Sequence, residues 1–142
     1  MNRVAAALNV KHPANTVILV AGTNGKGSCC EALNTLSMEA GLKTGLTTSP
    51  HIHQFSERIR IDGCPVEDRT IAAAFETIEQ ARGETTLTYF EFASLAAMVI
   101  FKSEALDVAI LEIGLGGRLD AMNVVDPDIS VVLPIALDHQ EY

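Results

Sequence analysis

Residues Val17 to Ser28 read V-I-L-V-A-G-T-N-G-K-G-S, and this stretch decides how the rest of the chain is read. Val17, Ile18, Leu19, Val20 and Ala21 form a short apolar run, as expected for a parallel strand buried on both faces. The run ends at once in a loop with glycines at 22, 25 and 27 around Lys26. Glycines allow a tight turn and let backbone N–H groups approach an anion with no Cβ in the way, while Lys26 adds a mobile positive charge for the outer phosphates. A helix starting at the loop aims its N-terminal dipole at the same anion. Gly22, Thr23, Asn24, Gly25, Lys26, Gly27 and Ser28 are therefore the candidate nucleotide-binding residues. The stretch departs from the common G-x-x-x-x-G-K-[ST] pattern, because Val20 stands where the first glycine belongs and Gly27 separates Lys26 from Ser28. The bland alternative, a glycine-rich turn with a solvated lysine, is disfavoured by the conjunction of strand, glycines, lysine and helix.

Working outward, residues 1–15 carry a weak helical pattern ending at His12-Pro13. After the loop, Cys29, Leu33, Leu36 and Ala40 recur at helical spacing, and Gly41 suits a C-terminal cap. Thr44 to Thr48 then reads as a second strand, making a right-handed βαβ unit with the loop at its first turn. Ser49-Pro50-His51 follows at that strand's C-terminal end, the ligand-facing edge of an open α/β sheet. His51 and His53 read as loop histidines and not as ligands, on the expectation that residues i and i+2 on a strand edge point to opposite faces. Arg58 to Val66 predicts a short hairpin around Asp62-Gly63. Ile71, Phe75 and Ile78 mark an amphipathic helix from about 67 to 82, and a second helix, apolar nearly all round, runs from about 89 to 104. Thr88-Tyr89-Phe90-Glu91 stands at its entrance; chemistry alone favours an N-cap with core aromatics. Asp107 to Ile113 is a further buried strand, and Ile129 to Leu133 is the next strand. Glu112, in an otherwise apolar strand, requires a partner: either Arg118 in a salt bridge or a bound cation.

With 142 residues, 48% hydrophobic and 20% charged, the chain amounts to one globular domain. A net charge of −8 with no lysine or arginine cluster argues against a nucleic-acid surface. The longest apolar run, between Glu91 and Lys102, falls short of the roughly 18 residues that a membrane span needs, and the first residues make no convincing secretory signal. The expectation is a cytoplasmic protein. Cys29, Cys30 and Cys64 lack zinc spacing and read as reduced structural thiols. Cys29 and Cys30 open the helix after the loop, where a lowered thiol pKa is conceivable but a packing role fits better.

G-T-N-G-K-G-S resembles the phosphate loop of the Mur ligase superfamily of ATP-dependent amide-forming enzymes, in the form carried by folylpolyglutamate and dihydrofolate synthases. T-S-P-H, T-Y-F-E-F, E-I-G-L-G-G-R-L-D-A-M-N and A-L-D-H follow in that family's order. The resemblance implies a doubly wound, mostly parallel α/β sheet of the P-loop NTPase-like, Mur ligase central-domain type. It implies that residues 1–142 are a partial ATP-binding domain, with the family's C-terminal domain absent and the chain inactive alone. ATP and Mg2+ would be the cofactors, and dihydropteroate or a folate, with L-glutamate, the substrates of an enzyme that is monomeric when complete. Carried over by position, Thr23 to Lys26 would hold ATP, and Ser49, Glu112 and His139 would bind the metal. Lys26, Glu112 and His139 would be the catalytic set. Thr88, Tyr89, Phe90 and Glu91, with Leu119, Asp120 and Ala121, would line the pterin site. A hydroxyl and a carboxylate are natural ligands of Mg2+, whereas histidine is less typical of that hard cation; Ser28 competes with Ser49 by analogy with ordinary P-loops. The alternatives are another Mur-type amide ligase, or a nucleotide-binding module without catalysis.

Overall fold

The structure, a computed structural model, describes residues 1–136. Six strands form one sheet in the order β4-β3-β2-β5-β1-β6, where β1 is Ala14–Ala21, β2 Thr44–Thr47, β3 Ile59–Ile61, β4 Cys64–Pro65, β5 Leu106–Glu112 and β6 Ile129–Val132. β1, β2, β5 and β6 run parallel, and the β3–β4 hairpin adds antiparallel to β2. The mostly parallel α/β sheet expected from the sequence is therefore present. The first crossover nevertheless skips a place, because β5 lies between β1 and β2.

Burial follows the two-residue period of the strands. Val17 and Leu19 of β1, with Ala109 and Leu111 of β5, join residues of α1 (Asn2–Ala7), α3 (Asp68–Arg82) and α4 (Tyr89–Ser103) in the larger core. Ile18 and Val20, with Val108 and Ile110, face α2 (Lys26–Glu39) in a smaller one. Both central strands are thus covered on both faces, which is why they read as unbroken apolar runs. α4 is buried on most sides, with Leu95, Met98 and Phe101 fully enclosed.

Two expectations are corrected. On α2 the buried positions are Cys30 and Asn34, whereas Leu36 is 68% exposed and Ala40 is also exposed. His51 and His53 are loop histidines as expected, but they lie in irregular backbone and not on a strand, and residues i and i+2 of a strand share a face, so the strand-edge reason for that reading does not hold. The N-terminal helix is short, Asn2–Ala7, yet Val4 and Ala5 are buried in the larger core, so a weak periodicity conceals a packed element. Cys30 is a packing residue: burial, and then the nearby Glu112 charge, push its thiol up to about 12.

Candidate active site

Sheet register brings the candidate residues to one edge. Val20 is the partner of Glu112, and Thr47 is the partner of Leu111, so the loops after β1, β5 and β2 emerge side by side at the C-terminal ends of their strands. The phosphate loop takes its shape from glycine: φ is +144° at Gly22 and +80° at Gly25, which is the N-cap of α2. Helix α2 then starts at Lys26, as the dipole argument requires. Lys26 Nζ donates to the carbonyls of Gly22 (2.9 Å) and Thr23 (3.2 Å), so its ammonium is folded onto its own loop. Asn24, Gly25 and Ser28 are exposed. Thr23 behaves differently from its neighbours, since its N–H donates to Pro134 O and its hydroxyl is engaged with Ala136.

Glu112 is only 5% exposed. Its Oε2 accepts the Ser49 N–H at 2.8 Å, and a Cβ built on Gly27 would lie 3.7 Å from Oε1, so the carboxylate bridges the start of the Ser49 loop and the start of α2. Burial pushes its carboxyl above the usual range, while the Ser49 N–H and the Lys26 charge pull the other way. Among the described residues Arg118 makes no salt bridge with it, which disposes of the ion-pair alternative raised by the sequence. The described residues contain no group of three His, Cys, Asp or Glu side chains suited to a metal. A cation here would rest on one carboxylate and on serine hydroxyls, oxygen donors that suit Mg2+. His139 lies outside the described residues.

A cleft of about 850 Å3 opens beside this edge, bordered by Thr88, Phe90, Glu91, Leu119, Asp120 and Ala121. Thr88 and Glu91 form a reciprocal capping box, Thr88 N–H to Glu91 Oε2 at 2.8 Å and Glu91 N–H to Thr88 Oγ1 at 3.2 Å. Partial burial opposes ionisation of Glu91, but the Thr88 N–H and hydroxyl hold its carboxyl below the usual range. The capping role read from chemistry is therefore real, and it places both residues on the cleft wall. Asp120 is used in the same way: Oδ2 accepts from Leu115 N–H and Oδ1 from Met122 N–H, shaping the turn that carries Leu119, which is 90% exposed. Tyr89 does not share this cleft; it meets Phe55 edge-on at 6.2 Å, with the Arg58 guanidinium 5.8 Å from its ring centre.

A second cavity of about 380 Å3 includes Ser49, Arg58, Phe90, Gly114 and Asp120, and shares Phe90, Leu115 and Asp120 with the first. The two form one groove leading to Ser49. Sequence reasoning missed Arg3, which lines the larger cleft from α1, and Arg58, which lines the smaller. It also missed Glu57, whose carboxylate accepts the N–H groups of Ile52, His53 and Gln54 at 2.7–2.9 Å. The run F-S-E-R-I-R-I, from Phe55 to Ile61, also resembles the folate ligases, but nothing in it points to three backbone partners for Glu57.

No family model matches the chain. It is 51% identical over 139 residues to the dihydrofolate synthase/folylpolyglutamate synthase of Escherichia coli K12, covering 98% of this chain and 33% of that enzyme. The structure of E. coli FolC in complex with DHPP and ADP superposes with a TM-score of 0.97 at 50% identity, over 99% of this chain and 34% of that one. The Yersinia pestis bifunctional synthase complexed with AMPPNP and Mn ion gives 0.96 at 46%, with 99% and 34% covered. The chain thus spans about a third of the length of the relatives that it matches. Over nearly all of its length, then, this chain is homologous to the dihydrofolate synthase/folylpolyglutamate synthase family of ligases, in which it corresponds to about one third of an enzyme.

Proposed function

We propose that residues 1–142 are an ATP-binding portion of a cytoplasmic ligase that joins L-glutamate to dihydropteroate, to a folate, or to both. The observation that carries this reading is the placement of the phosphate loop, Ser49 and Glu112 on one sheet edge, at the end of the groove from Thr88 and Leu119. Its support from relatives is that FolC is solved with DHPP and ADP, and the Yersinia enzyme with AMPPNP and Mn ion.

The groove would deliver the acceptor's carboxylate to the phosphate loop. The γ-phosphoryl of ATP passes to that carboxylate and ADP leaves; the glutamate amine then attacks the acyl carbon, phosphate departs, and the amine gives up a proton. Phosphoryl transfer depends mainly on position and on neutralised charge. In this chain the loop N–H groups from Asn24 to Ser28 would hold the polyphosphate, and Lys26 would exchange the Gly22 and Thr23 carbonyls for phosphate oxygens. Ser49 and Glu112, with His139 as a third ligand and Ser28 as a competitor of Ser49, would hold Mg2+. When bound, that ion neutralises charge between the triphosphate and the nearby carboxylate. Thr88, Phe90, Glu91, Leu119, Asp120 and Ala121 would border the pterin.

The test is phosphate release by the complete protein supplied with ATP, Mg2+ and glutamate, with dihydropteroate and a folate added separately. Release that depends on one or both acceptors is expected, and the 142-residue chain alone should show none. ADP formation stimulated by neither acceptor would leave a nucleotide-binding module without ligase chemistry, and stimulation by a cell-wall precursor instead would point to another Mur-type ligase.

A further inference from the structure

The residues after β6 run back along the phosphate loop. Leu133 N–H donates to Ala21 O at 2.8 Å, and Thr23 N–H donates to Pro134 O at 3.3 Å. Thr23 Oγ1 accepts the Ala136 N–H at 2.9 Å and donates to the Ala136 carbonyl at 3.1 Å. One hydroxyl therefore takes both polar groups of one residue 113 positions away. The approach is also close: a Cβ on Gly22 would lie 2.7 Å from Leu133 Cβ. The other side of the same two loop residues is what holds the lysine, since the Gly22 and Thr23 carbonyls are the acceptors of Lys26 Nζ. The position of the 133–136 segment is in this way passed to the Lys26 ammonium through a single pair of peptide units.

We propose that Thr23 is a positioning residue, whose hydroxyl clasps the segment Pro134–Ala136 to the phosphate loop and so presets the loop and Lys26 for a polyphosphate. The inference rests on the nucleotide-binding reading above, but it gives Thr23 a different task from its glycine-rich neighbours, because its donors are already used within the chain. A loop held in advance loses less conformational freedom when the anion arrives. Thr23→Val keeps the shape of the side chain and removes the clasp. Without the two neutral hydrogen bonds that favour it, the preset loop becomes about tenfold less favoured over released forms, and the apparent affinity falls by up to the same factor.

The test uses the complete protein, with Mg-ADP as the probe in calorimetry and amide hydrogen exchange read across residues 133–136. Thr23→Val is expected to bind Mg-ADP more weakly, by up to about tenfold, and to expose the Ala136 amide to faster exchange. Thr23→Ser, which keeps the hydroxyl, should restore both. Ala136→Pro removes the clasped N–H from the other side and should weaken Mg-ADP similarly, which keeps the test open if the valine variant does not fold. Weakened binding with exchange unchanged would mean that the hydroxyl contacts nucleotide directly, and faster exchange with wild-type affinity would mean that the clasp does not set the loop; either overturns the proposal, as does a serine variant that rescues neither. Wild-type protein that binds no Mg-ADP overturns the nucleotide reading and the proposal together, an outcome distinct from wild type and valine variant binding equally.

Discussion

Two loops leave the same edge of the sheet, one after β1 and one after β2, and they are ordered by opposite means. The loop from Gly22 to Lys26 is shaped by glycine backbone angles, with a single side chain folded onto its carbonyls. The loop from Ser49 to Arg58 has no glycine; the Glu57 carboxylate gathers three of its N–H groups, and Arg58 Nε donates to His51 Nδ1 at 2.7 Å. A loop that must offer N–H groups to an outside anion has to obtain its shape without consuming them, and glycine does this. A loop whose N–H groups are satisfied by its own carboxylate has side chains left to offer, here Ser49 and Arg58 at the mouth of the groove.

The largest expected effect lies in the first loop. Lys26→Ala in the complete protein should lower turnover by about two to three orders of magnitude, because it removes the one cation held on the loop carbonyls. Steady-state kinetics with saturating acceptor would check this. A fully active variant would mean that the glycine loop does not serve a polyphosphate, and the contrast between the two loops would lose its functional meaning.

Next comes Gly22→Ala, which tests whether shape in the first loop really depends on glycine. The new Cβ would meet Leu133 Cβ at 2.7 Å, in a residue whose φ is +144°. Overpacking of this kind costs roughly 1–3 kcal/mol, before any strain in the backbone is added. Denaturant unfolding of wild type and variant should show the midpoint displaced to lower concentration. An unchanged midpoint would mean that the strand-6 extension yields freely, and would also weaken the clasp assigned to Thr23.

The difference between the loops explains what was legible in the sequence. Glycine punctuation after an apolar run is local, so the first loop and α2 were placed without tertiary information. The capping box at Thr88 and Glu91 is equally local, a T-x-x-E pattern before an apolar helix. Glu57 also acts locally, over five residues at most, but an exposed-looking glutamate in a charged run gives no pattern by which to recognise three backbone partners. The contact of Thr23 with Ala136 had no sequence signal, because only the placement of β6 beside β1 creates it. Leu36 on α2 misled for another reason. In the described residues α2 meets a small core of one face only, so its buried stripe is narrow and Cys30 with Asn34 fills it.

The smallest expected effect belongs to the second loop, and it tests whether charge is what organises it. The N–H groups of Ile52, Gln54 and then His53, helped by the nearby His53 ring, hold the Glu57 carboxyl at about 2 against an ordinary value of 4.5. A carboxyl depressed on folding contributes stability that is fully present above the unfolded value, and that is lost as pH falls through the folded one. Glu57→Gln keeps the shape and cannot titrate, so the stability gap between wild type and variant should be constant above pH 4.5 and should shrink steadily as pH falls towards about 2. Other carboxylates titrate in the same window, but they do so in both proteins and cancel in the difference. Thermal melts at closely spaced pH values give the gap, and amide exchange at residues 52–54 shows whether the loop is its source. The side chain is well solvated, so the gap should be modest and reduced by salt. A gap that stays the same from pH 7 to pH 2 would show that an acceptor of either charge suffices, and the second loop would then owe its order to geometry, as the first does.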